Sequence, residues 1–392
     1  MSVKETEHIQ GNLFGNMINK YSNTKKMSKI FMIGDTHIGL GYPNSADKWS
    51  KVHKQYFFEF LIPLLKREVT EGDIIIHLGD LFENRNVIPI DSLDLGMDVV
   101  EQISKIAPFH ILVGNHDSFH KSSSKINTLR AFRHIPNVFV YDSCTEIEFE
   151  HKKLLMMPYI EKKSEQIQLI IENKHCDYLF CHSDLNGAKM HLTSVAHKNP
   201  DKIDVEEFKS FNKVYSGHIH ILDRHKNFTF VGNTFQMDRN DFGNQKGVFA
   251  LDVNTGQEFF WENNISPVFE KIYITEEEHL SKLEVANMSN WIDLFISNKL
   301  LVSNRKLRRK LEAILQNGSF ASISYLDDIT DESVNEEKEV EADLEAQDLP
   351  QFQLEFKQLI EEYIKRQNYD DKVKIGILQE YMEIIRVYEQ DY

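Results

Sequence analysis

A chain of 392 residues with 41% hydrophobic content is long enough for two or three domains and apolar enough to fill their cores. No apolar run approaches the roughly 18–20 residues of a membrane span, and residues 1–26 are polar and charged, so neither a membrane anchor nor a secretory signal is expected. The formal charge of −16 weighs against a nucleic-acid partner only until it is localised: 327–348 hold 11 acids against one Lys, 349–392 net −3, and 1–326 are left nearly neutral at −3.

Met27 opens "MSKIFMIGDTH", which reads as a domain start after an N-terminal extension of residues 1–26. From there to about 220, short continuous apolar runs read as buried strands: "KIFMI" (29–33), "DIIIHL" (73–78), "FHILV" (109–113), "YLFC" (178–181) and "KVYS" (213–216). Helical spacing falls between them at 50–68, where Pro63 predicts a kink, and at 89–106, 122–133 and 161–173. Such alternation implies a layered α/β sheet. Hairpins are expected over 226–275, with Asn254-Thr255-Gly256 as a turn.

A smaller unit is expected at 268–326, with strands "VFEKIYIT", "WIDLFI" and "FASISYL" and a helix between Ser303 as its cap and Gly318 as its stop. The acidic stretch 327–349 is too charged to fold alone and reads as a linker. Over 350–392 helix returns. Phe352, Phe356, Leu359, Ile360, Tyr363 and Ile364 form one apolar stripe, and "VKIGILQEYMEIIRVY", with Leu378, Tyr381 and Ile385, forms a second apolar helix. Two such helices beyond a linker of roughly 26 Å reach cannot bury their faces against each other alone, so they must dock on something. Cys144, Cys176 and Cys181 make no CxxC pair, which points to a reducing cytosol; Cys181, beside His182, reads as a buried strand residue.

Polar residues recur at the strand ends. "FMIGDTH" offers Asp35 and His37, "IIHLGD" Asp80, "ILVGNHD" Asn115, His116 and Asp117, and "VYSGHIH" His218 and His220. Each set follows a glycine, and "LFCHSD" ends in His182 without one. In an open α/β sheet such ends collect on one edge, and residues spaced i, i+2 in extended chain point to one side. Two carboxylates, an amide and four imidazoles would then converge, besides His116. This N/O donor set suits Mn²⁺, Fe²⁺ or Zn²⁺ better than Ca²⁺.

The ordered set "GDTH … GDLFEN … GNHD … CHSD … SGHIH" resembles the calcineurin-like metallophosphoesterase family. The resemblance implies an α/β fold built as a two-sheet β-sandwich flanked by helices over 27–267, with a small α/β capping domain at 268–326 and a C-terminal helical pair. It implies two divalent ions at the strand ends, Mn²⁺ being the expected metal and Mg²⁺, Fe²⁺ or Zn²⁺ the alternatives. By motif, Asp35, His37 and His220 take one ion, Asn115, His182 and His218 the other, and Asp80 bridges them. The pair would lower the pKa of bound water and clamp the attacking and leaving oxygens. Asn115, ligating through its carbonyl oxygen, leaves the centre positive toward a phosphodiester. His116 would protonate the leaving oxygen, with Asp117 orienting it.

"GDLFENRN", with Arg85 close behind the motif, is similar to the SbcD-type, meiotic-recombination-eleven branch, and the overall size and acidic stretch resemble the recombination-endonuclease subunits of T-even-like phages. That implies a metal-dependent DNA nuclease in double-strand-break processing, resident in the cytoplasm (the host's, if phage-encoded). It also implies a homodimer paired through the catalytic domain at 89–106 and 122–133, and an SbcC-type ATPase docked on 350–392. No G-x-x-x-x-G-K-[ST] occurs in this chain. Arg85, Arg305, Lys306 and Arg309 are the candidate DNA contacts. A small-molecule phosphodiesterase or phosphatase on the same centre is the alternative. Where many cellular members have His after G-D-L-F, this chain has Glu83, which leaves the balance of exo- and endonuclease action open.

Overall fold

The computed structural model describes residues 28–326 apart from 43–44, 121, 193, 195, 197, 287–288, 304–307, 312–313 and 315–321. The expectations for 1–26, for the linker 327–349, for Arg305 and Lys306, and for the helical stripes of 350–392 lie outside the described residues. Two compact units divide the chain, and the one described below comprises Met1–Leu192 and Ala196–Ile329.

The strands, in chain order, are β1 (Lys29–Ile33), β2 (Ile74–His77), β3 (Phe109–Leu112), β4 (Ser118–His120), β5 (Ser123–Asn127), β6 (Val138–Tyr141), β7 (Thr145–Phe149), β8 (Lys152–Met157), β9 (Tyr178–Cys181), β10 (Lys213–Ser216), β11 (Leu222–His225), β12 (Phe228–Val231), β13 (Gly247–Asp252), β14 (Glu258–Glu262), β15 (Phe269–Ile274), β16 (Trp291–Ser297) and β17 (Ser322–Leu326). They form two six-stranded sheets, ordered β14-β13-β1-β2-β3-β6 and β11-β12-β10-β9-β8-β7. In the first, β1, β2, β3 and β6 run parallel. In the second, β8, β9, β10 and β12 do. Antiparallel hairpins, β13–β14, β11–β12 and β7–β8, form three of the edges, and the parallel strand β6 forms the fourth.

Side-chain parity makes the sandwich. Along β1, Ile30 and Met32 enter a core shared with Met156, Phe180 and Tyr215 of the other sheet. Phe31 and Ile33 face the opposite way, onto a core with Phe57, Leu65, Val99 and Ile103 of the covering helices. On the far sheet Leu155, Leu179 and Cys181 pack outward with Ile170 and Phe208. Strands apolar at every position are therefore needed wherever both faces are covered, and β1, β2 and β9 are buried throughout.

Two expectations are corrected. The segment 122–133 is not a helix but the strand β5 followed by a 3₁₀ turn, Thr128–His134. Its serines hold the chain extended: Ser124 Oγ donates to Asp142 O at 2.6 Å, and Asn127 Nδ2 donates to Ser124 O at 2.6 Å. A helical dimer surface at 122–133 is thereby ruled out. The helix expected over 50–68 runs from Ala46 to Glu68 and is irregular just before Pro63, where a π turn, Tyr56–Leu61, interrupts it and Ile62 N–H reaches back to Phe57 O. Ser303 does not cap a helix from outside but lies in helical backbone, in Asn298–Ser303, and the expected helix is present at 308–311 among the described residues. Strands β6, β7 and β8 were absent from the sequence reading altogether.

The all-parallel sheet β15-β16-β17 has its own small core around Ile274, Leu283, Leu294 and Leu311. It meets the sandwich through Trp291, stacked on Trp49 at 4.6 Å and on Phe269 at 5.4 Å. Beside that stack, Arg239 grips Asp293 with two hydrogen bonds of 2.7 and 3.0 Å. Trp291→Ala, which empties the junction at a cost of about 3–5 kcal/mol, is expected to make residues 268–326 the first site of limited proteolysis while the sandwich stays protected; uniform protection of both would contradict this reading of the junction.

Candidate metal centre

Because β1, β2 and β3 run parallel in one sheet and β9 and β10 in the other, their C-terminal ends meet at one edge of the sandwich. There Asp35, His37, Asp80, Asn115, His182, His218 and His220 come together. Asp35, His37 and His220 form one group of donors, and Asp80, His182 and His218 another, each with its ligand atoms within 4.8 Å of one another. Asn115 Oδ1 belongs to the second group, 2.9 Å from His182 Nε2 and 2.9 Å from His218 Nδ1. Asp80 stands between them: one oxygen, Oδ2, lies 3.2 Å from His182 Nε2 and 3.9 Å from His37 Nε2.

The glycines preceding these donors are there for close approach. A Cβ on Gly114 would lie 2.0 Å from Asp80 Oδ1, and one on Gly217 would lie 2.5 Å from Asp35 Oδ1. The backbone is also bent against its preference, with His37, Asp80 and His218 all at positive φ. Strain of about 1 kcal/mol or more at such positions persists only where the surroundings enforce it. Here several buried groups do so. Asp117 is fully buried, and its carboxylate accepts the N–H groups of Asp80 (2.8 Å), Gly114 (3.0 Å) and Phe82 (3.2 Å), lashing the second donor loop to the third. His53, on the covering helix, places Nε2 2.9 Å from Thr36 O and 3.0 Å from His37 O. Asp35 accepts the N–H of His218 at 3.0 Å across the two sheets.

Asp117 therefore does not orient His116, as the motif reading supposed; its oxygens are taken up by main-chain donors. His116 is held instead by Glu83, whose carbonyl oxygen accepts from Nδ1 at 2.6 Å. The His116 ring stands edge-on to that of His37 at 4.8 Å. Sequence reasoning missed Asp184, which lies 3.4 Å from His218 Nε2 and is also paired with Lys202, and Tyr159, whose ring is 5.9 Å from that of His218. Asp184 follows His182 by two residues in "CHSD", the one signal available; Tyr159 had none. Arg85 is partly buried, within electrostatic reach of Tyr159. Arg309 is exposed on the small unit. Cys181 is wholly buried, and burial pushes its thiol up to about 12, so it is no nucleophile. A separate group, Glu146, His175 and Cys176, sits at the opposite end of β9, with Lys153 Nζ 2.8 Å from its carboxylate.

The donors fit divalent ions on two counts. First, His182 Nδ1 lies 2.8 Å from Leu78 O and donates to it, which turns the Nε2 lone pair toward Asn115 Oδ1, Asp80 Oδ2 and His218 Nδ1. Several electron pairs aimed at one point repel unless a cation lies among them, and a ligand His with its other nitrogen on a carbonyl is the usual supporting arrangement. Second, protons take the place of cations in the metal-free chain. Burial pulls His182 down, but Asp80 and Asp35 outweigh it and hold the ring up at about 10; His37, likewise opposed by burial, is held up at about 9 by Glu83, Asp80 and Asp35. His220, half-buried, is pushed down to about 3 by desolvation and then by the neighbouring His37. The carboxylates thus create a field that demands positive charge.

Residues 28–222 match the Calcineurin-like phosphoesterase family, and the chain belongs to that family through this domain. It is 23% identical over 318 residues to "Exonuclease subunit 1" of Enterobacteria phage T4, spanning 80% of this chain and 89% of that protein. A putative phosphoesterase of Invertebrate iridescent virus 6 is 28% identical over 215 residues, 53% of this chain and 70% of its own. The "DNA double-strand break repair protein Mre11" of Methanosarcina mazei is 36% identical over 93 residues, 23% of this chain but only 14% of that protein. Residues 28–222 are therefore a calcineurin-like phosphoesterase domain, and an exonuclease subunit and a DNA double-strand break repair protein are among the relatives of the chain. Among the described residues no helix is long and apolar enough to cross a membrane.

Metal uptake has a proton signature. Ligation displaces the protons that His37 and His182 hold up to about 9 and about 10, so affinity is expected to rise with pH across neutrality, and calorimetry in buffers of different ionisation heat should register proton release. Both values exceed the ordinary imidazole pKa of about 6.5. The metal-free chain accordingly has this stabilisation in full below that value and loses it as pH climbs through about 9 and about 10. Its melting temperature should fall over that alkaline range while that of the loaded chain does not; parallel profiles would contradict the assignment.

Proposed function

We propose that this chain is a metal-dependent DNA nuclease, hydrolysing phosphodiester bonds at a dinuclear centre. The observation that supports it most is the meeting of two donor groups at a single Asp80 oxygen, which lies within 3.9 Å of a ligand nitrogen on either side. Asp35, His37 and His220 would hold one divalent ion, and Asn115, His182 and His218 the other, with Asp80 shared. When bound, such a pair supplies positive charge for the phosphodiester and lowers the pKa of water toward neutrality. Mn²⁺ is the metal we infer from the mixed N/O donors.

The chain's own residues do the rest. His116, tethered through Nδ1 to Glu83 O at 2.6 Å, leaves Nε2 as the nitrogen that, in the doubly protonated ring, would give its proton to the leaving oxygen, the ring returning to the neutral Nδ1–H form. Asp117 keeps the loops of Asp80 and Asn115 in register through main-chain contacts, and Arg85, within electrostatic reach of Tyr159, would meet a phosphate. No side-chain nucleophile is required, and Cys181 is unavailable as one.

DNA as the substrate is supported by the likeness to a phage exonuclease subunit and to the DNA double-strand break repair protein Mre11. By the same likeness we propose that residues 350–392 dock on an SbcC-type ATPase, that 268–326 help seat DNA through Arg305, Lys306 and Arg309, and that the chain pairs with a second copy through the face of helix Ile90–Ser104, where Ile90 is 87% exposed.

Manganese-supplemented chain, given linear DNA in one vessel and a p-nitrophenyl phosphodiester in another, separates the readings. Cleavage of DNA that falls roughly 10²–10⁴-fold in His116→Ala, with metal content unchanged, is expected. Hydrolysis of the small ester alone, with or without an ATPase partner, would replace the nuclease reading by a small-molecule phosphodiesterase.

A further inference from the structure

We infer that Glu83 is a positioning residue with two separable tasks: its carboxylate orients His37 for cation binding through Nε2, and its main-chain carbonyl orients His116. The inference rests on the dinuclear reading of the site. Glu83 lies on the loop that the β2 end sends past the centre, and its backbone is pinned. Its N–H donates to Ile38 O at 3.0 Å, next to the parallel bridge that joins Ile38 and Phe82, and its carbonyl oxygen accepts from His116 Nδ1 at 2.6 Å. From that fixed position the side chain, one-third exposed, turns back so that Oε2 lies 2.7 Å from His37 Nδ1.

Nδ1 of His37 needs such a neighbour. The ring is buried, with Nε2 facing His220 Nε2 at 3.2 Å and Asp80 Oδ2 at 3.9 Å, which makes Nε2 the ligating nitrogen. A neutral ring that ligates through Nε2 must carry its proton on Nδ1. Glu83 Oε2 is the acceptor beside that proton, although it approaches too far off the N–H axis for a linear hydrogen bond. A carboxylate in this position fixes the tautomer and raises the basicity of the ligand, and removing such a partner commonly weakens metal affinity 10–100-fold. A solvated loop acid would do neither.

The two tasks come apart under substitution. Glu83→Ala deletes the carboxylate and leaves the carbonyl that holds His116. Glu83→Gln keeps an oxygen that can accept from Nδ1 but not the charge. With Mn²⁺ as the titrant, calorimetry of the full chain should show two ions in the wild type. In Glu83→Ala one of the two sites, the one His37 serves, should loosen about 10–100-fold while the other is unmoved, and Glu83→Gln should fall between. Turnover at saturating Mn²⁺ should change less than the metal constant does. Wild-type affinity at both sites in both variants, or a loss of turnover with metal constants unaltered, would overturn the role of Glu83. If the wild type itself failed to take two ions, the dinuclear reading would fall instead. Thermal melting of each variant distinguishes lost affinity from lost fold.

Discussion

Electron pairs pointed at one another are the constraint around which this fold is arranged. His182 Nε2, His218 Nδ1, Asn115 Oδ1 and Asp80 Oδ2 lie 2.9–3.3 Å apart along their contacts, and His37 and His220 bring two more ring nitrogens to 3.2 Å. A hydrophobic core would never collect such groups, since each is costly to bury without a partner. They are tolerated because positive charge can enter among them, as protons in the metal-free chain and as divalent ions in the proposed enzyme.

Holding them there requires a scaffold stiffer than the loops that carry them. Parallel strands in two sheets deliver the donors to one edge, and the sandwich core between the sheets fixes the distance between the deliveries. Buried polar residues then restrain what the strands cannot. Asp117 ties loop to loop, Asp35 spans the two sheets to the N–H of His218, and Lys246 donates to the carbonyl of His220 at 2.7 Å while pairing with Asp241. Burial and the neighbouring Asp80 push Asp117 up to about 7, the electrostatic penalty of placing a second carboxyl there. Positive φ at His37, Asp80 and His218 belongs to the same pattern, with local preference yielding to site geometry.

The donor residues were legible in the sequence because each sits directly after an apolar run short enough to be only a strand. β9 and β10 begin and end where "YLFC" and "KVYS" do. What the sequence concealed followed from weaker signals. β7, "TEIEF", is half-exposed and acidic and lacks the continuous apolar run that marked the inner strands, whereas β6, "VFVY", carries such a run and was legible though passed over; only the fold shows Phe139 turned to solvent. Residues 122–133 have helical spacing but obey their serines. The function of Asp117 was misread because a motif fixes which residues are neighbours in sequence, and only the fold shows that main-chain donors of two loops surround its carboxylate. Glu83 could not be placed by pattern at all, since its contacts arise from a loop folding back on the first strand's end.

The most direct test is to count and locate metal ions in the native full-length protein: elemental analysis for stoichiometry, joined to the magnetic coupling of bound Mn²⁺ by electron paramagnetic resonance. A dinuclear centre predicts two ions per chain with the coupling of a pair roughly 3.5–4 Å apart, and loss of that coupling in Asp80→Asn. Native protein free of transition metal, or two ions showing no coupling, would contradict it.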